Sequence, residues 1–330
     1  MTAAMDAPLN TPVDSPGEAP PRFADDAPDW RIDGRDWPNR GLSRFVTAGH
    51  LRWHVQVGGP GAPGGPPGGT GDTAAPDVIS PPVCLLLHGT GAATHSWRGL
   101  LPLLAAGMVV VAPDLPGHGF TTTPPSSRMT LPGMAAAVSA LLDRLDLRPD
   151  VVIGHSAGAA ILARLCLDGR IAPRSLIALN GAFVPFREAQ NPLFSGMARL
   201  LVLNPLVPRL FAWTAGGPSG VERLIRDTGS VPDRVGVALY ARLLRRPAHV
   251  RGALSMMANW DLVPLLRDLP GLRPRLVLVT AGNDRAVQPE QARRVAALVP
   301  GSVLLPQPGL GHLSHEERPG ETLDLIRPYV

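Results

Sequence analysis

Residues 151–169 read VVIGHSAGAAILARLCLDG. The stretch opens as a short apolar run, Val151–Ile153, turns at Gly154-His155-Ser156-Ala157-Gly158, and continues as an apolar-rich helical pattern. A G-x-S-x-G pentapeptide alone recurs by chance. Between a strand and a helix it has a physical meaning. The serine then sits on a sharp, strained turn, its neighbours must be small, and its hydroxyl points out of the sheet. The helix that follows offers free amide donors and the positive end of its dipole. The plain alternative is a Gly-rich turn whose serine only caps the helix.

The same texture recurs on both sides. Val83–Leu87 is a short apolar run ending in His88-Gly89-Thr90-Gly91, and Met108–Ala112 is another, ending in Pro113-Asp114. Ser175–Leu179, Leu276–Thr280 and Val303–Leu305 follow, the second of these ending in Ala281-Gly282-Asn283-Asp284. Helical patterns lie between them: Met134, Val138, Leu141, Leu142 and Leu145, then Ala157–Leu167, then Glu290–Leu298. Short, uniformly apolar strands alternating with helices predict an α/β fold, a mostly parallel sheet covered by helices on both faces. All strand C-termini then share one edge, where ligands bind. Arg44–Val57 alternates as two further strands with a turn at Ala48-Gly49.

Three segments stand apart. Residues 1–35 are acidic and Pro-rich without an apolar period, which predicts a disordered tail. Gly58–Pro82 holds eight Gly and seven Pro and predicts a loop insertion. Residues 183–261 carry several short helical patterns and predict an inserted cap on a core of residues 36–182 and 262–330. Within the cap, Asn191–Trp213 is apolar with isolated Arg, which suits a bulky hydrophobic small-molecule substrate bearing acidic groups.

A serine hydroxyl near neutral pH needs a base. His312 follows the last apolar run in Gly309-Leu310-Gly311-His312, and Asp284 follows the one before it. Both project from the edge that carries Ser156. In this reading His312 takes the Ser156 proton, and Asp284 holds the imidazole tautomer. Asp284 has a plain reading as a turn residue, and His315 rivals His312. The fourth run ends in Asn180-Gly181, with no acid to compete. An oxyanion hole needs two backbone amides. Ala157 supplies one and Thr90 the other, from a loop that His88, Gly89 and Gly91 shape. Gly154 and Gly158 give the serine turn its room. Asp114 reads as support for loop amides, and His155 and Trp97 as candidate pocket residues, with Trp97 also readable as core.

Composition narrows the rest. The chain has 330 residues, 45% hydrophobic and 18% charged, enough for a substantial core. Net charge is +4, and all 31 basic residues are Arg. They are scattered, mostly singly and without longer runs or interleaved aromatics, so no nucleic-acid partner is expected. No apolar run reaches the roughly 18–20 residues of a transmembrane segment. The residues MTAAMDAPLN show no secretory pattern, and a cytoplasmic location is the expectation. Cys84 and Cys166 read as buried thiols rather than a disulfide framework. The nine His show no metal-ligand spacing, and no Walker or G-x-G-x-x-G loop ends a strand. No metal and no cofactor are expected.

From Val83 to Val330 the chain resembles the α/β-hydrolase superfamily, through HGTG (88–91), DLPGHG (114–119), GHSAG (154–158), the acid after the seventh strand and GH (311–312) after the eighth. More narrowly, Asp36-Trp37-Pro38-Asn39-Arg40, Leu51-Arg52-Trp53-His54, HGTGAATHSW (88–97), APDLPGHGFT (112–121) and residues 154–169 resemble the magnesium-chelatase accessory protein family of bacteriochlorophyll gene clusters. The resemblance implies an eight-stranded α/β-hydrolase fold. It also implies a role in bacteriochlorophyll synthesis near magnesium insertion into protoporphyrin IX, with magnesium chelatase as a partner. It implies no particular chemical step. Two readings stay open: a serine hydrolase acting on an ester or similar bond, and a non-catalytic tetrapyrrole-binding or chelatase-docking protein with an inherited triad. A general serine esterase is a variant of the first.

Overall fold

Apolar runs become parallel strands when helices cover both of their faces. The computed structural model of this chain describes residues 26–62, 81–185, 208–209, 212, 217–231 and 233–330. Its strands are β1 (Ser43–Ala48), β2 (Leu51–Gly58), β3 (Val83–Leu87), β4 (Val109–Pro113), β5 (Val151–His155), β6 (Ser175–Leu179), β7 (Arg275–Ala281) and β8 (Val303–Gln307). They form one eight-stranded sheet in the order β1-β2-β4-β3-β5-β6-β7-β8. Strand β2 runs antiparallel to β1 and β4, and the neighbours from β4 to β8 are parallel.

The period of two along each strand divides the core. Leu85 and Leu87 of β3, Val152 of β5 and Leu176 and Ala178 of β6 face one layer. Cys84 and Leu86, Val151 and Ile153, and Ile177 and Leu179 face the other. The first layer is covered by α2 (Leu131–Leu145) and α3 (Ala157–Leu167), which follow α1 (Leu100–Leu104) in the chain. The second is covered by α1 together with Trp97 and Ile326. Each fully buried Leu, Ile or Val contributes about 1.5–3 kcal/mol, so these two layers dominate the stability of the sheet.

Between β6 and β7 lie α4 (Pro218–Asp227), α5 (Arg234–Leu244), α6 (Pro247–Ala258) and α7 (Val263–Asp268); α8 (Pro289–Leu298) follows β7, and α9 (Ser314–Glu317) and α10 (Pro319–Ile326) follow β8. Of the inserted helices, α4 and α5 do not pack on the sheet faces, whereas Met256 of α6 and Leu265 of α7 join the first core layer. Val221 and Ile225 of α4 and Tyr240 and Ala241 of α5 meet Ala92 and Leu313. Leu239 and Leu243, on the same helix, meet Trp37, Ala93 and Phe120. The insertion is therefore seated over the loops at the strand C-termini. Most of Asn191–Trp213 lies outside the described residues, as do residues 63–80 of the Gly/Pro-rich stretch.

Two expectations are corrected. The β1–β2 turn is centred one residue later, on Gly49 and His50, both with positive φ (55° and 67°). Paired positive φ angles match the right-handed twist of a two-residue hairpin. The fold also begins earlier than residue 36. Trp30 stacks on Phe45, His54 and Phe120 at 4.8–5.5 Å between ring centroids, and the Arg40 guanidinium lies over it. The aromatic payload of Trp30 holds an acidic segment that composition alone reads as tail. Residues 1–25 lie outside the described residues.

That segment is tied to the cap. Asp36 receives both terminal nitrogens of Arg242, at 2.6 and 3.0 Å, and Asp33 receives Arg246 at 2.8 Å. Asp33 is buried, whereas the Asp36 side chain is 73% exposed. The two pairs are therefore unequal. Asp33→Asn is expected to lower stability by about 1–2 kcal/mol, because it leaves a half-buried Arg without its charge partner. Asp36→Asn should stay within about 0.5 kcal/mol, as exposed pairs do. Urea denaturation of the two variants checks this, and equal losses would contradict the ranking.

Candidate active site

The parallel register brings distant loops to one rim. Leu87 pairs with Gly154, His155 with Leu179, Leu179 with Val279, and Ala281 with Gln307. The residues that follow these strands are therefore neighbours.

Ser156 has φ 51° and ψ −117°, a conformation that L-residues with a side chain rarely adopt. Its surroundings hold it there. The Ser156 amide donates to the Leu179 carbonyl at 3.1 Å, and its own carbonyl accepts from Ala159 and Ala182 at 3.2 and 3.1 Å. The glycines are explained by close approach. A Cβ on Gly154 would lie 2.4 Å from the Ala159 nitrogen, and one on Gly158 would lie 2.1 Å from the Leu87 carbonyl oxygen. Strained backbone that its surroundings over-determine is the local signature of a functional site.

Asp284 is buried and uses its two oxygens differently. Oδ1 accepts the amides of Ala286 and Val287, each at 2.8 Å. Oδ2 meets His312 Nδ1 at 2.7 Å. The acceptor-only carboxylate requires Nδ1 to carry the hydrogen, which leaves Nε2 of a neutral imidazole as a base. The His312 carbonyl accepts from His155 Nε2 and Asn180 Nδ2, both at 2.9 Å. The His155 and His312 rings lie 4.6 Å apart. The imidazole is thus anchored to the residue next to Ser156. Among the described residues, Ser156 Oγ itself has no hydrogen-bond partner, and free active sites often hold such contacts long until a substrate arrives.

The proposed oxyanion donors flank this place. Ala157 opens α3, so its amide has no acceptor within the helix. Gly89 and Ala92 close a turn at 3.2 Å that leaves the Thr90 amide outside it. Gly89 is forced by proximity, since a Cβ there would lie 3.0 Å from the Ser156 Cβ. Gly91 has φ 77°. His88 sets the loop by donating from Nδ1 to the Gly89 carbonyl at 2.8 Å and accepting the Leu115 amide on Nε2 at 2.9 Å. Asp114 accepts the amides of Thr94 and Phe120, at 2.7 and 2.9 Å, and meets His54 Nδ1 at 2.8 Å. Burial alone would raise the Asp114 carboxyl, but the His54 contact and these amides outweigh it and hold it below the usual carboxylate range.

Some candidates serve elsewhere. Trp97 is fully buried among Leu100, Leu101 and Cys84, so it packs in the core. His155 is 2% exposed and stands behind His312 rather than on a substrate surface. Burial pushes its pKa well down. His315 is buried, donates toward Ser96 and does not meet Asp284. Cys84 is buried and Cys166 half-buried, and burial pushes the Cys166 thiol up to about 12. Sequence reasoning missed Asn180 and Ser230. Asn180 has φ 47° and binds the Ala281 amide as well as the His312 carbonyl. Its signal was an Asn-Gly pair directly after a strand, a pair suited to positive φ. Ser230 accepts the Leu313 amide at 2.8 Å from within the insertion, and no local pattern marks it. Among the described residues, no helix is long and apolar enough to cross a membrane, and no group of three His, Cys, Asp or Glu could hold a metal ion.

Comparison with known proteins bears on the fold and the family. Residues 82–319 match the family model of the alpha/beta hydrolase fold. The chain is 36% identical over 281 residues to the magnesium-chelatase 30 kDa subunit of Rhodobacter capsulatus, covering 85% of this chain and 92% of that protein. Among solved structures, the epoxide hydrolase CorEH superposes with a TM-score of 0.67 at 20% identity, over 87% of this chain and 99% of that one. An esterase of Thermogutta terrifontis superposes with a TM-score of 0.64 at 19% identity, over 87% and 97%. At these identities the two structures speak for the fold alone. A fold match over most of the chain, joined to a relative of this identity and coverage, places the chain in the alpha/beta-hydrolase family and, within it, in the family of the magnesium-chelatase 30 kDa subunit.

Proposed function

We propose that this protein is a serine hydrolase of bacteriochlorophyll synthesis, working near magnesium insertion into protoporphyrin IX and alongside magnesium chelatase in the cytoplasm. The observation that carries the hydrolase half is the Asp284–His312 pair at 2.7 Å, anchored through His155 beside the strained Ser156. The pathway half rests on the likeness to the Rhodobacter capsulatus subunit.

The chemistry follows from the donors and acceptors. His312 Nε2 takes the Ser156 proton as Oγ attacks an acyl carbon. Asp284 Oδ2 keeps Nδ1 protonated and stabilises the imidazolium that forms. The Ala157 and Thr90 amides receive the charge that develops on the carbonyl oxygen. The proton then passes from His312 to the leaving group, and water repeats the sequence to release the acid. The sequence of the insertion, apolar with isolated Arg over Asn191–Trp213, suits a bulky hydrophobic substrate with acidic groups. A tetrapyrrole carrying propionates has that character.

A second reading has one observation in its favour, the unpartnered Ser156 hydroxyl. In it the protein binds a tetrapyrrole or docks on the chelatase, and Ser156 performs no chemistry. Two measurements separate the readings. A fluorophosphonate probe is expected to form an adduct on Ser156 of the folded protein. Ser156→Ala is expected to fail in restoring pigment to a bacteriochlorophyll-producing strain that lacks the gene. Absence of the adduct, or full restoration by a stably expressed variant, sinks the hydrolase reading and favours the second.

A further inference from the structure

Behind His312 lies a buried polar network that the triad does not use. Glu316 ends the turn that follows His312, and its side chain is fully buried. Oε1 accepts from Ser96 Oγ at 2.8 Å and from Tyr240 OH at 2.7 Å. Oε2 accepts from Arg98, which also binds Asp233 at 3.1 Å. Since Ser96 gives its hydrogen to Glu316, its lone pair must receive His315 Nε2–H, at 2.9 Å. The His315 ring packs on His155 at 4.5 Å, and His155 in turn holds the His312 carbonyl.

Two of these partners belong to the insertion. Tyr240 lies on α5, and Asp233 is its N-cap, accepting the Gly236 amide at 2.6 Å. The loop before α5 reaches the same segment through Ser230 on the Leu313 amide, and it reaches the Asp284 loop through Thr228, whose carbonyl accepts the Arg285 amide at 3.1 Å. Gly311 is pressed so closely on this loop that a Cβ there would lie 2.3 Å from the Gly229 backbone. The insertion therefore grips the turn after His312 at two points, by Ser230 on Leu313 and by Tyr240 on Glu316.

We propose that Glu316 is a positioning residue, through which the seating of cap helix α5 sets the placement of His312. A carboxylate with three donors on two oxygens has one arrangement that satisfies all of them. If α5 lifts, Tyr240 and Asp233 leave together, and Glu316 and Arg98 must find new partners or draw in water. The turn bearing His312 then loses its outer anchor. A closed cap would thus complete the catalytic geometry, and an open cap would relax it. This inference rests on His312 acting as the base for Ser156.

The test uses the full chain with Tyr240→Phe, Asp233→Asn and Glu316→Gln, each checked by circular dichroism. Two readouts are taken: the rate of fluorophosphonate labelling of Ser156 against pH, and the titration midpoint of His312 by NMR of histidine-labelled protein. The groups facing His312 are Asp284, His155 and His315. Those facing Glu316 are Arg98, Tyr240 and, through Ser96, His315. Tyr240→Phe removes one hydroxyl and keeps the apolar contact of the ring. It is expected to slow labelling about tenfold, as small misplacements of a catalytic group do. It should also move the His312 midpoint, with the double variant Tyr240→Phe, Asp233→Asn slower still. Wild-type labelling rates and an unchanged His312 midpoint in folded Tyr240→Phe and Asp233→Asn overturn the proposal, even if Glu316→Gln unfolds. A wild-type protein that does not label at all removes the serine nucleophile instead, and the NMR midpoint still decides whether the cap is coupled to His312.

Discussion

Asp284→Asn is expected to slow the reaction of Ser156 with a fluorophosphonate by about four orders of magnitude, with the fold intact. The structure gives the reason. Asp284 Oδ1 is held by two backbone amides, so the Asn oxygen will take that place and turn its NH2 group toward His312 Nδ1. Two donors cannot face each other. The imidazole must then carry its hydrogen on Nε2, the atom that should accept the Ser156 proton. His312→Ala removes the base outright, and its loss should be larger still, on the order of a millionfold. Both are measured as labelling rates at neutral pH, with thermal unfolding as the control. A folded Asp284→Asn protein that labels within threefold of wild type would show that this carboxylate does not govern the tautomer.

Stability is expected to fall steeply on acidification from pH 6.5. Burial pushes down the pKa of six histidines, His88, His95, His118, His155, His249 and His315. His249 comes to about 4 and His315 to about 3. The folded state thus holds fewer protons than the unfolded one between these values and the ordinary 6.5. Stability rises with pH in that window and is lost as pH falls through it. Each such group costs about 1.4 kcal/mol per pH unit below 6.5, so at pH 5 His249 and His315 together cost about 4 kcal/mol. That is a large part of the roughly 5–15 kcal/mol that holds a domain together. Asp114, held low by its partners, adds its own loss only below about pH 4. Urea midpoints at pH 7 and pH 5 measure the effect. His315→Gln, which can keep a donor on Ser96, should flatten the pH dependence. A stability that is level from pH 7 to 5 would contradict the assignment of neutral imidazoles.

Several local features were legible in advance. Uniformly apolar runs marked strands covered on both sides, because a strand with a wet face must alternate. Gly154 and Gly158 marked the elbow, because only glycine tolerates the approaches measured there. Composition alone assigns Trp30 to the tail, because its aromatic partners are Phe45, His54 and Phe120, none of which shares a local pattern with it. The sequence leaves Trp97 and His155 between pocket and packing, because proximity to a site along the chain does not say which way a side chain turns. Asn180 carries only a turn signal and Glu316 none, because the partners of both are set by packing.

The order of strands, helices and the serine elbow was determined by the sequence alone, since each depends on residues within one or two turns of chain. The sequence also names Asp284 and His312 as partners, whereas the contacts of the inserted helices with the turn behind His312 are decided only by the tertiary structure. Ser96 meets Glu316 across 220 residues, and Tyr240 meets it across 76. A buried carboxylate draws whichever donors the fold delivers to it, and no local pattern records which those will be.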